Sequence, residues 1–299
     1  MEAKRFVPTG IIPPVITPLN DDETANLNAL KHLIAYLLDG GVHAIFVLGT
    51  TGEFFAFTSD EKKAIIETAL EAVNGKVPVY AGTGGITTKE VISLTQMAEK
   101  CGADAVSILT PMFISPSQDD LYVHYKTIAE STDLPIIMYN NEPRTGVGIS
   151  VQTVERLAQI DNIVGIKDSS GDFDLTGEYI RVTKDNSNFH VLQGHDTHIL
   201  AGLTYGASGA IAATANIAPK LAVAIYDNFR CGNMEKALEA QFALAPLRMA
   251  FTLGTFPAVI KDGLQMLGIA AGPCKSPIRH LTTEESHRLY AILTAMHLI

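Results

Sequence analysis

Short apolar runs rich in β-branched residues recur at Gly10–Thr17, His43–Gly49, Val77–Gly82, Ala105–Thr110, Leu134–Asn140, Ile163–Asp168, His190–Gly194 and Gly209–Thr214. Between them, Leu27–Leu38, Ser59–Val73, Thr88–Lys100, Gln118–Ser131, Val151–Gln159, Leu175–Thr183 and Thr197–Tyr205 repeat apolar residues every three or four positions. That is the period of a helix with one buried face. The strand runs are apolar throughout rather than alternating, as in a parallel sheet covered on both faces. About eight strand–helix alternations predict an α/β fold, a (β/α)₈ TIM barrel. A doubly wound open sheet would show the same alternation, but the glycine-rich turn expected after its first strand is missing. Beyond Pro219 the chain reads as helix through Leu221–Phe229, Met234–Phe251 and Glu284–His297, more than one closing helix needs. The expected organisation is a barrel over 1–220 with a helical extension over 221–299 packed on it as a single structural unit.

Composition narrows the partners. A net charge of −10 opposes attraction to phosphate backbones and anionic lipid, and no Lys/Arg-rich run overrides it. Neither nucleic acid nor membrane is an expected partner. The cysteines, Cys101, Cys231 and Cys274, are odd in number and lack CxxC spacing, so neither a disulfide framework nor a thiolate metal cluster is expected. Met1 to Pro8 lacks a charged stretch followed by an apolar one, and no apolar segment approaches about 18 residues, so the expected location is cytoplasmic.

The candidate chemistry lies where strands turn polar, because barrel active sites sit at the C-terminal ends of the strands. Lys167 closes the run Ile163-Val164-Gly165-Ile166. An apolar wall disfavours the charged form of a lysine, and a neutral amine attacks ketones to give an iminium that serves as an electron sink. The competing reading is a lysine that snorkels outward or pairs with a carboxylate. Asp168, its neighbour, should face the opposite way. Tyr139 ends the preceding strand and could shuttle protons, or could be an ordinary amphipathic aromatic at the rim. Gly49-Thr50-Thr51-Gly52-Glu53 offers hydroxyls and backbone N–H groups to a carboxylate, although an ordinary loop before the Thr58-Ser59-Asp60-Glu61 cap signal fits as well. Arg144 could bind a carboxylate bidentately or lie in solvent. His195, Asp196 and His198 lack a third ligand at metal spacing and read as rim residues. Gly82-Thr83-Gly84-Gly85 lacks the GK[ST] ending of a phosphate loop.

Together, GTTGE at 49–53, YN at 139–140 followed by RTG at 144–146, and GIKD at 165–168 resemble the dihydrodipicolinate synthase / N-acetylneuraminate lyase family of class I aldolases. The resemblance runs from about Gly10 to the C-terminal helices. It implies a (β/α)₈ barrel, a homotetramer built as a dimer of dimers, Lys167 as the Schiff-base lysine and Tyr139 as the proton-transferring phenol. It further implies Thr50 and Thr51 as binders of the oxo-acid carboxylate, Ile211 as a backbone carbonyl lining the pocket, and Arg144 as a binder of a second carboxylate. No cofactor or metal is implied, because the lysine imine supplies the electron sink. Three places depart from the family pattern. Phe113 stands where synthases carry a relay tyrosine; Phe54, Phe55 and Ile86 replace polar residues of lysine-inhibited synthases; and Asn141-Glu142 replaces a more apolar pair.

The expected function is therefore a lyase joining or releasing pyruvate, or a related 2-oxo acid, and an aldehyde. The loss of the tyrosine at 113 turns the first expectation toward a 2-oxo-3-deoxy sugar acid. The alternative is 4-hydroxy-tetrahydrodipicolinate synthase, which condenses pyruvate with aspartate semialdehyde. Related dehydratases and deaminases share the lysine chemistry. A reading of another class is an oxo-acid-binding barrel whose catalysis has lapsed.

Overall fold

A computed structural model describes residues 6–299; positions 1–5, part of the segment read above for a leader, lie outside the described residues. Eight strands form: β1 (Gly10–Ile12), β2 (Ile45–Val47), β3 (Val79–Gly82), β4 (Ala105–Leu109), β5 (Ile136–Asn140), β6 (Ile163–Asp168), β7 (His190–Gln193) and β8 (Gly209–Ile211). They stand in the order β1-β8-β7-β6-β5-β4-β3-β2. The ends of that order meet where Pro14 bridges Phe46 in parallel and Val15 N–H donates to the Phe46 carbonyl at 2.8 Å. The sheet thus closes into the expected parallel barrel. Several strands are shorter than their apolar runs for simple reasons. Pro13 and Pro14 have no N–H to continue β1, and Ala213–Asn216 coil into a 3₁₀ turn after β8.

Helices alternate with the strands: α1 (Leu27–Asp39), α2 (Ser59–Val73), α3 (Thr88–Cys101), α4 (Gln118–Ala129), α5 (Glu142–Thr145), α6 (Val151–Leu157), α7 (Phe173–Thr183) and α8 (Ile199–Tyr205). Then follow α9 (Pro219–Arg230), α10 (Met234–Ala250), α11 (Ala258–Met266) and α12 (Thr283–Ala295). The cap signal before α2 forms as written: Thr58 accepts from Glu61 N–H while Glu61 reaches back to the Thr58 N–H. Two helices differ from the sequence pattern. α5 is a single turn inside a presumed loop. α11, which the sequence reading left out, buries the charged Lys261 and Asp262 along with its apolar residues, so its polar face does not turn to solvent as a surface helix's does. No helix among the described residues is long and apolar enough to cross a membrane.

Backbone packing divides the chain into two compact units. One comprises Tyr80–Ile211 with the segment up to Gly10. In it β4, β5, β6 and β7 pair in parallel, aligning Leu109 with Tyr139, Tyr139 with Lys167, and Lys167 with Leu192. Its core includes Ile108, Ile136, Ile137, Met138 and Ile166, none of them exposed.

The other unit comprises Ile11–Val79 and Ala212–Ile299. Here the last third of the chain is fastened to the first by buried polar bonds. Asn216 accepts from Ile16 N–H (3.1 Å) and donates to the Pro14 carbonyl (2.9 Å), and the Tyr36 hydroxyl donates to the Ile217 carbonyl (2.6 Å).

Candidate active site

β5 and β6 bring Tyr139 and Lys167 side by side. The two residues are register partners on adjacent strands, and each is 5% exposed. Lys167 Nζ lies over the Tyr139 ring, 4.0 Å from its centroid. The ring's negative face stabilises a cation in that position.

Alternation along a strand sends the next residue of each pair to the opposite side. There Asn140 Nδ2 donates to Asp168 Oδ1 at 2.9 Å, and both side chains are buried. Asp168 also accepts from Ser170 N–H (3.1 Å), Ser170 Oγ (3.1 Å) and Thr176 Oγ1 (2.5 Å), while Asn140 Oδ1 accepts from Ile149 N–H (3.1 Å). Bonds of this charge-assisted kind contribute about 1.5–3 kcal/mol each. Asp168 is therefore committed to clamping β5 to β6 and to the start of α7. The clamp fixes the spacing of Tyr139 and Lys167 from behind.

Past β5 the chain turns at once into α5. Asn141 occupies the position before this helix, and its carbonyl accepts from Arg144 N–H (3.0 Å) and Thr145 N–H (3.1 Å). Its side chain makes no capping bond to the helix. Instead Asn141 Nδ2 donates to the Tyr139 hydroxyl oxygen at 2.8 Å. Arg144 is exposed on the same helical turn. Phe113, in the loop after β4, is 93% exposed and has a positive φ of 73°. Ile211 is the last residue of β8 and is buried.

Thr50 and Thr51 belong to the other compact unit, in the turn after β2. Gly52 N–H donates to the Gly49 carbonyl (3.0 Å) and Glu53 N–H to the Thr50 carbonyl (3.2 Å), so the turn folds tightly on itself. The Thr17 hydroxyl donates to the Gly52 carbonyl at 2.8 Å, and a Cβ on Gly52 would stand 2.8 Å from the Val15 carbonyl oxygen. Gly52 therefore serves packing against the chain after β1.

Glu53 closes the turn in the left-handed region, at φ 55°. Its carboxylate meets Lys261 of α11 at 2.6 Å, with the side chains 0% and 1% exposed, and also accepts from Lys275 N–H at 2.8 Å. Lys261 Nζ in turn donates to the Pro273 carbonyl at 2.7 Å. Thr51 is buried and Thr50 half-buried.

His195 and His198 stack 5.7 Å apart after β7. Among the described residues no three His, Cys, Asp or Glu side chains are grouped as a metal site requires.

The sequence reading passed over the Asn141 amide, the Asn140–Asp168 clamp and the Glu53–Lys261 pair. Alternation was the usable signal for the clamp, since Asn140 and Asp168 each follow a site residue by one position. A polar side chain at the strand-to-helix join was the signal at Asn141. Nothing local marks Lys261 as the partner of Glu53.

The pattern of the dihydrodipicolinate synthetase family matches residues 7–296. The 4-hydroxy-tetrahydrodipicolinate synthase of Methanothrix thermoacetophila is 38% identical over 287 residues, covering 96% of each chain. Among solved structures, dihydrodipicolinate synthase from Thermotoga maritima superposes with a TM-score of 0.94 at 35% identity, covering 97% of this chain and 99% of that one. YagE, a prophage protein of the dihydrodipicolinic acid synthase family from E. coli K12 solved in complex with pyruvate, gives a TM-score of 0.94 at 32% identity, covering 97% and 99%.

Proposed function

Because the chain belongs to the dihydrodipicolinate synthetase family of aldolase-type lyases, we propose that it is a 4-hydroxy-tetrahydrodipicolinate synthase, condensing pyruvate with aspartate semialdehyde through an imine at Lys167. The observation that carries this choice of aldehyde is the 38% identity, across 96% of both chains, to a protein of that name. It reverses the preference drawn from the sequence, which put a 2-oxo-3-deoxy sugar acid first because of Phe113. The sugar-acid reading keeps one support, the phenyl ring at 113 in place of a hydroxyl.

The Lys167 amine attacks C2 of pyruvate, and the Tyr139 hydroxyl protonates the departing oxygen as water. Loss of a proton from C3 gives an enamine, which attacks the aldehyde carbon; the new alkoxide takes up a proton, and the semialdehyde's own amino group then adds to the imine carbon and displaces the Lys167 amine, closing the ring and freeing the lysine. The imine is the electron sink throughout, so the bond-forming step calls on no metal. Thr50 and Thr51 hold the pyruvate carboxylate, Ile211 lines the pocket through its carbonyl, and Arg144 receives the second carboxylate. The assembly proposed is a homotetramer, as the family resemblance implies, and the exposed Phe113 offers it an apolar side chain to bury.

Incubation with pyruvate and borohydride should attach a reduced pyruvyl group to Lys167, located by peptide mass spectrometry, and Lys167→Ala should abolish it. Tyr139→Phe should lower kcat about 10²–10⁴-fold. Aspartate semialdehyde should then be turned over faster than any sugar aldehyde. The reverse ranking would restore the sugar-acid aldolase.

A further inference from the structure

We propose that Asn141 is a positioning residue for proton transfer, its amide holding the Tyr139 hydroxyl as the donor to the substrate oxygen; this rests on the Schiff-base reading above. An asparagine at a helix N-terminus ordinarily turns its side-chain oxygen onto the first free N–H groups of the helix. Asn141 stands in that place and forgoes the bond. Its Nδ2 reaches Tyr139 Oη at 2.8 Å, and the two side chains are 6% and 5% exposed.

The amide is anchored before any substrate arrives. The Asn141 carbonyl is tied to Arg144 N–H, to Thr145 N–H and, at 3.2 Å, to the Thr145 hydroxyl. Thr145 is itself bonded to Thr110 at 3.0 Å, so the bond runs back to the end of β4.

The chemistry follows from what an amide nitrogen can do. Nδ2 donates and does not accept, so it occupies a lone pair of the phenol oxygen and directs the phenol's own proton to an acceptor other than Asn141. When the carbinolamine on Lys167 collapses, its C–O bond breaks, the C=N bond forms, and the Tyr139 proton leaves with the oxygen as water. The phenolate that remains is the better acceptor, so the Nδ2–H bond strengthens as charge develops. The proton lost from C3 on enamine formation then returns to Tyr139. A donor fixed on the phenol oxygen favours the phenolate form. It therefore acts on the protonation steps and leaves the grip on the oxo acid alone.

The test uses the full chain labelled with carbon-13 at tyrosine Cζ, the Tyr139 signal being the one lost in Tyr139→Phe. Titration of the free enzyme should place the Tyr139 midpoint at higher pH in Asn141→Leu than in the parent, and higher still in Asn141→Asp, which keeps the shape but replaces the donor with an anion. In steady state Asn141→Leu should lose about tenfold or more in kcat, in line with the loss of one preorganised donor, with KM for pyruvate little changed. Coincident midpoints in the parent and in whichever variants fold would overturn the role of Asn141. The parent's borohydride adduct is scored separately: its absence at Lys167 overturns the Schiff-base reading itself, which the substrate-free titration does not involve.

Discussion

Gly165 lies two residues before Lys167, and a Cβ there would stand 2.4 Å from the His190 carbonyl oxygen, backbone of the neighbouring strand. Only glycine lets β6 approach β7 that closely, so the glycine of the GIKD motif is a packing requirement. Gly165→Ala should cost about 1–3 kcal/mol through overpacking. A lower melting temperature together with slower trapping of pyruvate at Lys167 would check it, because the strand that shifts is the one carrying the lysine. At this scale the sequence was readable where a residue's placement follows from its own strand: Lys167 and Tyr139 at apolar strand ends, and Asp168 turned away. It was unreadable where the role depends on a neighbour. Asn141 looked like an anomaly until the hydroxyl it contacts was in view.

Among the elements, the strands and the surface helices announced themselves through period, and two short helices did not. α5 is too short to show a period, and α11 spans only nine residues and buries Lys261 and Asp262 on its polar side, so neither presents the solvent-facing polar stripe of a surface helix. α12, by contrast, begins with a capping box that the sequence spells out, Thr282 paired with Glu285. Its acidic partner does more than cap. Arg279 grips Glu285 through two bonds, of 2.7 and 3.0 Å, and together with the Thr282 N–H bond this holds the carboxyl down to about 2 from an ordinary 4.5. A carboxyl whose affinity for protons is lower in the folded chain stabilises the fold above its unfolded value and ceases to do so as pH falls. The melting temperature of the parent should therefore exceed that of Glu285→Gln at neutral pH. The gap should close between about pH 4.5 and 2, and added salt should narrow it because the pair is partly exposed.

For the whole molecule, the barrel and its order of elements were legible because eight repeats of one pattern leave few alternatives. What ties distant stretches of chain together was not legible, since an ion pair has no period. Lys261 and Glu53 are the plainest case: two opposite charges, both shut off from water, in contact at 2.6 Å. Removing one partner of such a pair leaves a buried charge and costs about 3–5 kcal/mol, whereas replacing both with neutral groups costs much less. Lys261→Met should thus melt well below the parent, and Glu53→Gln/Lys261→Met should melt above Lys261→Met; thermal unfolding of the three variants decides it.

The same pair bears on the order in which the chain is made. Glu53 leaves the ribosome 222 positions before Lys275, whose N–H its carboxylate accepts, and long before Lys261. Until those residues arrive the carboxylate has water as its partner, and the turn carrying Thr50 and Thr51 rests only on Thr17 and Val15, which precede it in the chain. The settled form of this turn is thereby reserved for finished polypeptides, and a broken or half-made chain lacks the contacts that hold Glu53.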